Sequence, residues 1–164
     1  MTRLQEALEQ IDFARQYTLE RVNSIPLAEW FIVPPGGVSH VAWQIGHAAM
    51  AEYRLCLERL RVRTPADESL IPDDFLKVFG RESLPTAVTG YTAAQIRAVY
   101  DCVHARVMEE LLAYPDADLD LPPLKPHPLF ATRIAGLRYA PLHEMSHCGQ
   151  LAMIRRMLGH APIW

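Results

Sequence analysis

The chain has 164 residues, half of them apolar and 21 % charged, with a formal net charge of −3 and a sequence pI of about 6.1. Such values suit one soluble domain, residues 1–164, built around one core. The lack of a basic surplus argues against nucleic acid as a partner, and no apolar run approaches membrane-spanning length.

The N-terminal MTRLQEALEQ is amphipathic and acidic, unlike a signal peptide. Leu4, Leu8, Ile11, Arg15, Leu19 and Val22 recur at helical spacing and predict a first helix over about residues 2–23, ended by Asn23-Ser24-Ile25-Pro26. WFIVPPGG, with two prolines and two glycines, reads as a connector. A second helix is expected over about 38–61 with Ser39 as its N-cap. Arg59, Arg61 and Arg63 at its end read as a solvated helix terminus favoured by the dipole. Residues 62–91 hold turn-formers and prolines with at most one short helix near PDDFLKVFG, which suggests a crossover.

Thr92 to Gln95 forms a capping box that opens a third helix, striped by Ile96, Val99, Val103, Val107 and Leu111 and stopped at Tyr114-Pro115. LDLPPLKPHPLF carries four prolines and is expected to be a stiff extended loop. The fourth helix is expected from Thr132 to Leu158, with Gly159 as its stop signal and a kink at Pro141. The expected fold is all-α, a four-helix bundle with long crossover connections. Cys56, Cys102 and Cys148 form no CxxC pair, read as small core residues, and suit a reducing cytoplasm.

Within the fourth helix, HEMSHCGQ contains His143-Glu144-Met145-Ser146-His147, the H-E-x-x-H pattern of zinc peptidases. At ~100° per residue the two histidines leave one helix face about one turn apart, so both imidazoles can reach one ion. A peptidase needs a third ligand downstream. The position ten after His143 is Met153, no acidic residue follows His147, and His160 lies beyond the helix-ending Gly159. No strand is expected to hold an extended peptide either, so the peptidase reading loses its support. Upstream, His47 sits in the second helix among Gly46, Ala48, Ala49 and Ala51, small neighbours that admit a facing helix. It is favoured as third ligand. His40, seven positions earlier and within ~20° of the same face, is the alternative ligand or a pocket group.

Trp43-x-x-Gly46-His47, His143-x-x-x-His147-x-Gly149-Gln150 and Arg155-Arg156-x-Leu158-Gly159 resemble the DinB-like superfamily over nearly the whole chain. The resemblance implies a divalent metal, often zinc or nickel, bound by one histidine of helix two and two of helix four, here His47, His143 and His147. It also implies a homodimer and, by analogy with characterised relatives, use of bacillithiol, mycothiol or glutathione. Three neutral histidines leave positions on an ion open to water or substrate, the arrangement of a catalytic site.

Several neighbours are candidates. Gln150, one turn beyond His147, can bond a metal-bound water or an imidazole, or serve as an interhelical amide. Glu144 points ~100° from its neighbouring histidine, as an acceptor orienting an imidazole, a structural group, or a base acting through water. Arg54, Tyr139 and His40 are pocket candidates, Arg54 suiting an anionic ligand or, more commonly, a surface salt bridge to Glu52 or Glu58, and Tyr139 a packing role or a hydroxyl donor. Trp43 and Met50 line the pocket or core, Cys148 faces elsewhere, and the loop with Lys125 and His127 covers the site or simply connects. The expected function is a metal-dependent enzyme acting on a small electrophile with an activated thiol. The alternatives are a non-catalytic metal-binding stress-response bundle and a hydrolase using Glu144.

Overall fold

A computed structural model describes residues 1–85 and 89–163. Among them are six α-helices and no strand: α1 Arg3–Val22, α2 Val41–Tyr53, α3 Pro65–Leu70, α4 Asp73–Val78, α5 Ala93–Leu111 and α6 Arg133–Met157. The four long ones make the bundle. α1 lies against α6, α6 also against α2, and α2 against α5, so the chain visits neighbours out of spatial order through long connections. Residues 86–88 of the expected crossover, and Trp164, lie outside the described residues.

Local chemistry sets the helix ends. Thr2 with Gln5 and Thr92 with Gln95 form reciprocal capping boxes, each supplying partners for otherwise unpaired N–H groups. α6 begins at the Thr132 cap, runs through Pro141, and stops at Gly159, whose φ of +93° suits a residue without a side chain. α2 differs from expectation at its start. Its N-cap is His40, not Ser39: the His40 Nδ1 accepts from the Trp43 N–H at 3.1 Å. α2 then passes into a π-helical stretch, Arg54–Glu58. The crossover holds two short helices where one was expected, because Thr64 and Asp67 cap α3 around Pro65.

The core is made of apolar stripes that converge from α1, α2, α5 and α6, with Trp30, Tyr53, Phe75, Phe79 and Tyr100 as its largest fully buried apolar side chains. Every residue of α2 is buried, so this helix is the central one. Cys56 and Cys148 are buried as expected, whereas Cys102 is exposed. Arg61 and Arg63 also depart from the solvated reading. Arg61 spans Asp67 and Glu110, and Arg63 spans Tyr53, Glu68 and the Ile71 carbonyl, so the pair clamps α3 to the bundle.

A second polar layer lies inside the bundle. Arg15 of α1, 1 % exposed, donates to Glu52 of α2, to both oxygens of Glu144 of α6 and to the Tyr100 carbonyl of α5. The Tyr100 hydroxyl donates to Glu144 at 2.6 Å, and His104 bonds Glu52 at 2.7 Å and Asp12 at 3.2 Å. Burying such a set costs desolvation that is recovered only when every member is paired. Here one arginine joins all four long helices.

Candidate metal centre

His47 projects from α2, and His143 and His147 project from successive turns of α6, across the α2–α6 contact. One ligand nitrogen from each lies within 4.8 Å of the others. The ring centroids are 4.7 Å apart for His143 and His147, 4.8 Å for His47 and His147, and 5.4 Å for His47 and His143.

Two of the three rings are fixed by outside acceptors. The Phe79 carbonyl lies 2.8 Å from His47 Nδ1 and can only accept, so Nδ1 carries the proton and Nε2 a free lone pair. Gln44 donates through Nε2 to Ser39 Oγ, which turns its Oε1 to His147 Nδ1 at 2.6 Å with the same consequence. Such outer acceptors fix the tautomer and orientation of metal-binding imidazoles. The Trp43 ring stacks on His47 at 4.7 Å and is held by its Nε1–H to Ser83 Oγ.

Gly46 explains how Phe79 reaches this position. A Cβ at Gly46 would lie 2.3 Å from the Phe79 ring. The small residue thus admits the end of α4, not a facing long helix as its sequence context suggested. Phe79 then delivers its carbonyl to the next residue in α2, His47.

Burial first, and then the neighbouring imidazoles, hold His143 down at about 4 and His147 at about 3. Burial likewise lowers His47. All three are neutral near pH 7, with nitrogen lone pairs available. A compact set of neutral imidazole nitrogens suits a borderline divalent ion such as zinc or nickel and fits poorly with magnesium or calcium. The residues present fit such an ion.

The triad opens on a cavity of about 500 Å³ whose wall includes His47, His143, Met50, Arg54, Tyr139 and His127. Arg54 and Tyr139 thus lie where a ligand would, the Tyr139 ring 6.2 Å from that of His143. The proline-rich loop supplies a wall and is more than a connector. It is tied down by the Leu124 N–H to the Arg59 carbonyl at 2.8 Å, and Lys125 reaches Glu58 at 2.6 Å.

Three expectations need correction. His40 caps α2, 2 % exposed with its ring against Phe31, and does not line this cavity. Gln150 is solvent-exposed on α6, and the amide that bonds an imidazole is Gln44 instead. Glu144 does not orient an imidazole, because Arg15 and Tyr100 engage both of its oxygens. Sequence reading missed Gln44 and the Phe79 carbonyl. Gln44 lies three residues before His47 and so near the same face, the one signal that could have found it. The Phe79 carbonyl comes from a chain turn that no side-chain pattern announces.

The profile of the DinB superfamily matches residues 10–151. No curated protein matches the chain. The matched span runs from α1 into α6 and contains all three imidazoles. By its helical fold and this match, the chain belongs to the DinB superfamily.

Proposed function

We propose that this protein is a metal-dependent enzyme that joins or isomerises a small electrophilic substrate with the help of a low-molecular-weight thiol. One observation carries the reading: a triad of buried and half-buried imidazoles, with ligand atoms within 4.8 Å, borders through His47 and His143 an open cavity of about 500 Å³. An ion whose task was only to brace helices would call for a closed shell of side chains. His47, His143 and His147 would hold zinc or nickel. Such an ion supplies Lewis-acid activation of a thiol or water.

The chain's own groups have separate tasks. Gln44 and the Phe79 carbonyl hold two imidazoles with Nε2 free, and Trp43 covers one ring face. Tyr139, Met50 and the His127 loop shape the space for substrate and limit water. The hydrolase alternative asks Glu144 to serve as a base. Its engagement with Arg15 and Tyr100 favours the thiol reading over that one. A small-molecule substrate, a homodimer and a cytoplasmic location, where reduced thiols abound, belong to the same proposal. No described helix is long and apolar enough to cross a membrane.

The test begins with metal analysis of purified protein. About one zinc or nickel per chain is expected, and a His147→Ala protein that holds as much metal as wild type sinks the triad. Titration of Co²⁺-substituted protein with bacillithiol, mycothiol and glutathione then addresses the thiol. At least one should perturb the visible spectrum, and silence from all three counts against transfer.

A further inference from the structure

The cavity beside the imidazoles is lined by three arginines, Arg54, Arg59 and Arg81, and by no acidic residue among the described residues. Glu58, next to Arg59 in sequence, is taken by Lys125 at 2.6 Å and pairs loosely with Arg54 at 4.0 Å. Arg81 has no ion-pair partner among the described residues. Arg59 is more telling. Its terminal nitrogen donates to the Arg54 carbonyl at 3.0 Å, while its Nε is the sole buried side-chain polar atom without a hydrogen-bond partner among the described residues.

A buried guanidinium N–H without an acceptor is costly. Gathering three like charges at one cavity is costly too: desolvation, with the charge of Arg54, pushes the Arg59 pKa down although Glu58 raises it. An anion in the cavity offsets the like-charge cost. Arginine donors also suit carboxylate and phosphate oxygens through paired N–H groups.

We infer that Arg54, Arg59 and Arg81 form an anion subsite, so that the cavity's ligand is a small molecule bearing two carboxylates or a phosphate at the end that meets the arginines. The inference deepens the proposed function and rests on it for the ligand's other end, a thiol. It sorts the candidate thiols by charge. A neutral thiol leaves the cluster of like charge uncompensated, whereas a multiply anionic one offsets it.

Calorimetric titration of the full-length, zinc-loaded protein in low salt tests this with mercaptosuccinate, 2-mercaptoethanol, succinate and inorganic phosphate. Mercaptosuccinate should bind at least about tenfold tighter than 2-mercaptoethanol, the scale of one charge-assisted pair. Added NaCl should shrink that ratio. Arg81→Ala, an exposed position that folding tolerates, should reduce it, and Arg59→Ala with Arg81→Ala should bring it close to one. Metal content and 2-mercaptoethanol affinity should stay unchanged. Equal affinities in wild type, or a preference that survives the double substitution, overturn the subsite. If neither thiol binds, the thiol reading fails separately and the simple anions decide. Succinate or phosphate binding that the double substitution removes upholds the subsite and names its chemistry, and binding of neither refutes it.

Discussion

Gln44 Oε1 lies 2.6 Å from His147 Nδ1, and the same amide donates to Ser39 Oγ at 2.8 Å, so one buried side chain both chooses its own orientation and fixes that of the imidazole. Removing it leaves His147 free to turn or to switch tautomer. Gln44→Ala should weaken zinc affinity about 10- to 100-fold, the usual effect of losing an outer acceptor. Competition with a chromophoric chelator measures it. An unchanged affinity would mean that His147 is held by packing alone.

Gly46 bears on the same site from the same helix, α2. An added Cβ would fall 2.3 Å from the Phe79 ring, whose carbonyl holds His47. Gly46→Ala should therefore destabilise the fold by about 1–3 kcal/mol, the range for overpacked cores. It should also loosen metal binding, since Phe79 cannot retreat without withdrawing its carbonyl. Urea unfolding of apo protein and chelator competition separate the two effects.

The long helices were legible because their apolar residues recur every three or four positions and because Thr92, Thr132 and Gly159 mark their ends by known chemistry. α3 escaped notice, since six residues hold too few turns for periodicity, although Thr64-Pro65 and Asp67 spell a capped start. His40 escaped as a cap because imidazole rarely fills that role, yet its Nδ1 accepts as a hydroxyl would. The two α6 histidines were legible from helix geometry alone. The partners of Glu144 were not. Its direction follows from ~100° per residue, but Arg15 lies 129 residues away and meets it only through the packing of α1 on α6. Nor does local spacing bring Arg81 to the same cavity as Arg54 and Arg59.

That packing gives the glutamate of the HEMSH sequence a structural task that can be tested. Arg15→Met would leave Glu144 buried without a cation and Glu52 with His104 alone, and should cost about 3–5 kcal/mol of stability. Glu144→Gln keeps an acceptor for the Tyr100 hydroxyl and should fold with its metal content unchanged. Denaturation midpoints alongside metal analysis check both. Loss of metal in Glu144→Gln protein, with the fold intact, would return that residue to the metal centre.

His104 gives the network a pH dependence. Burial lowers its pKa, but the hydrogen bond and charge of Glu52, helped by Asp12, outweigh burial and raise it above the usual 6.5. The folded state therefore holds a proton that the unfolded chain releases between 6.5 and the higher folded value. Its contribution to stability is complete below 6.5 and is lost as pH rises through the folded pKa. Glu52 works in the opposite direction at acid pH. Arg15 and His104 hold its carboxyl below the usual 4.5 against the effect of burial, so its contribution is complete above 4.5 and fades as pH falls. Urea midpoints of wild type and His104→Asn protein, both without metal, should differ most between these limits. The gap should close as pH climbs from 6.5 towards 9. A gap that stays constant over that range would show that His104 is neutral in the folded protein and holds Glu52 by hydrogen bonding alone.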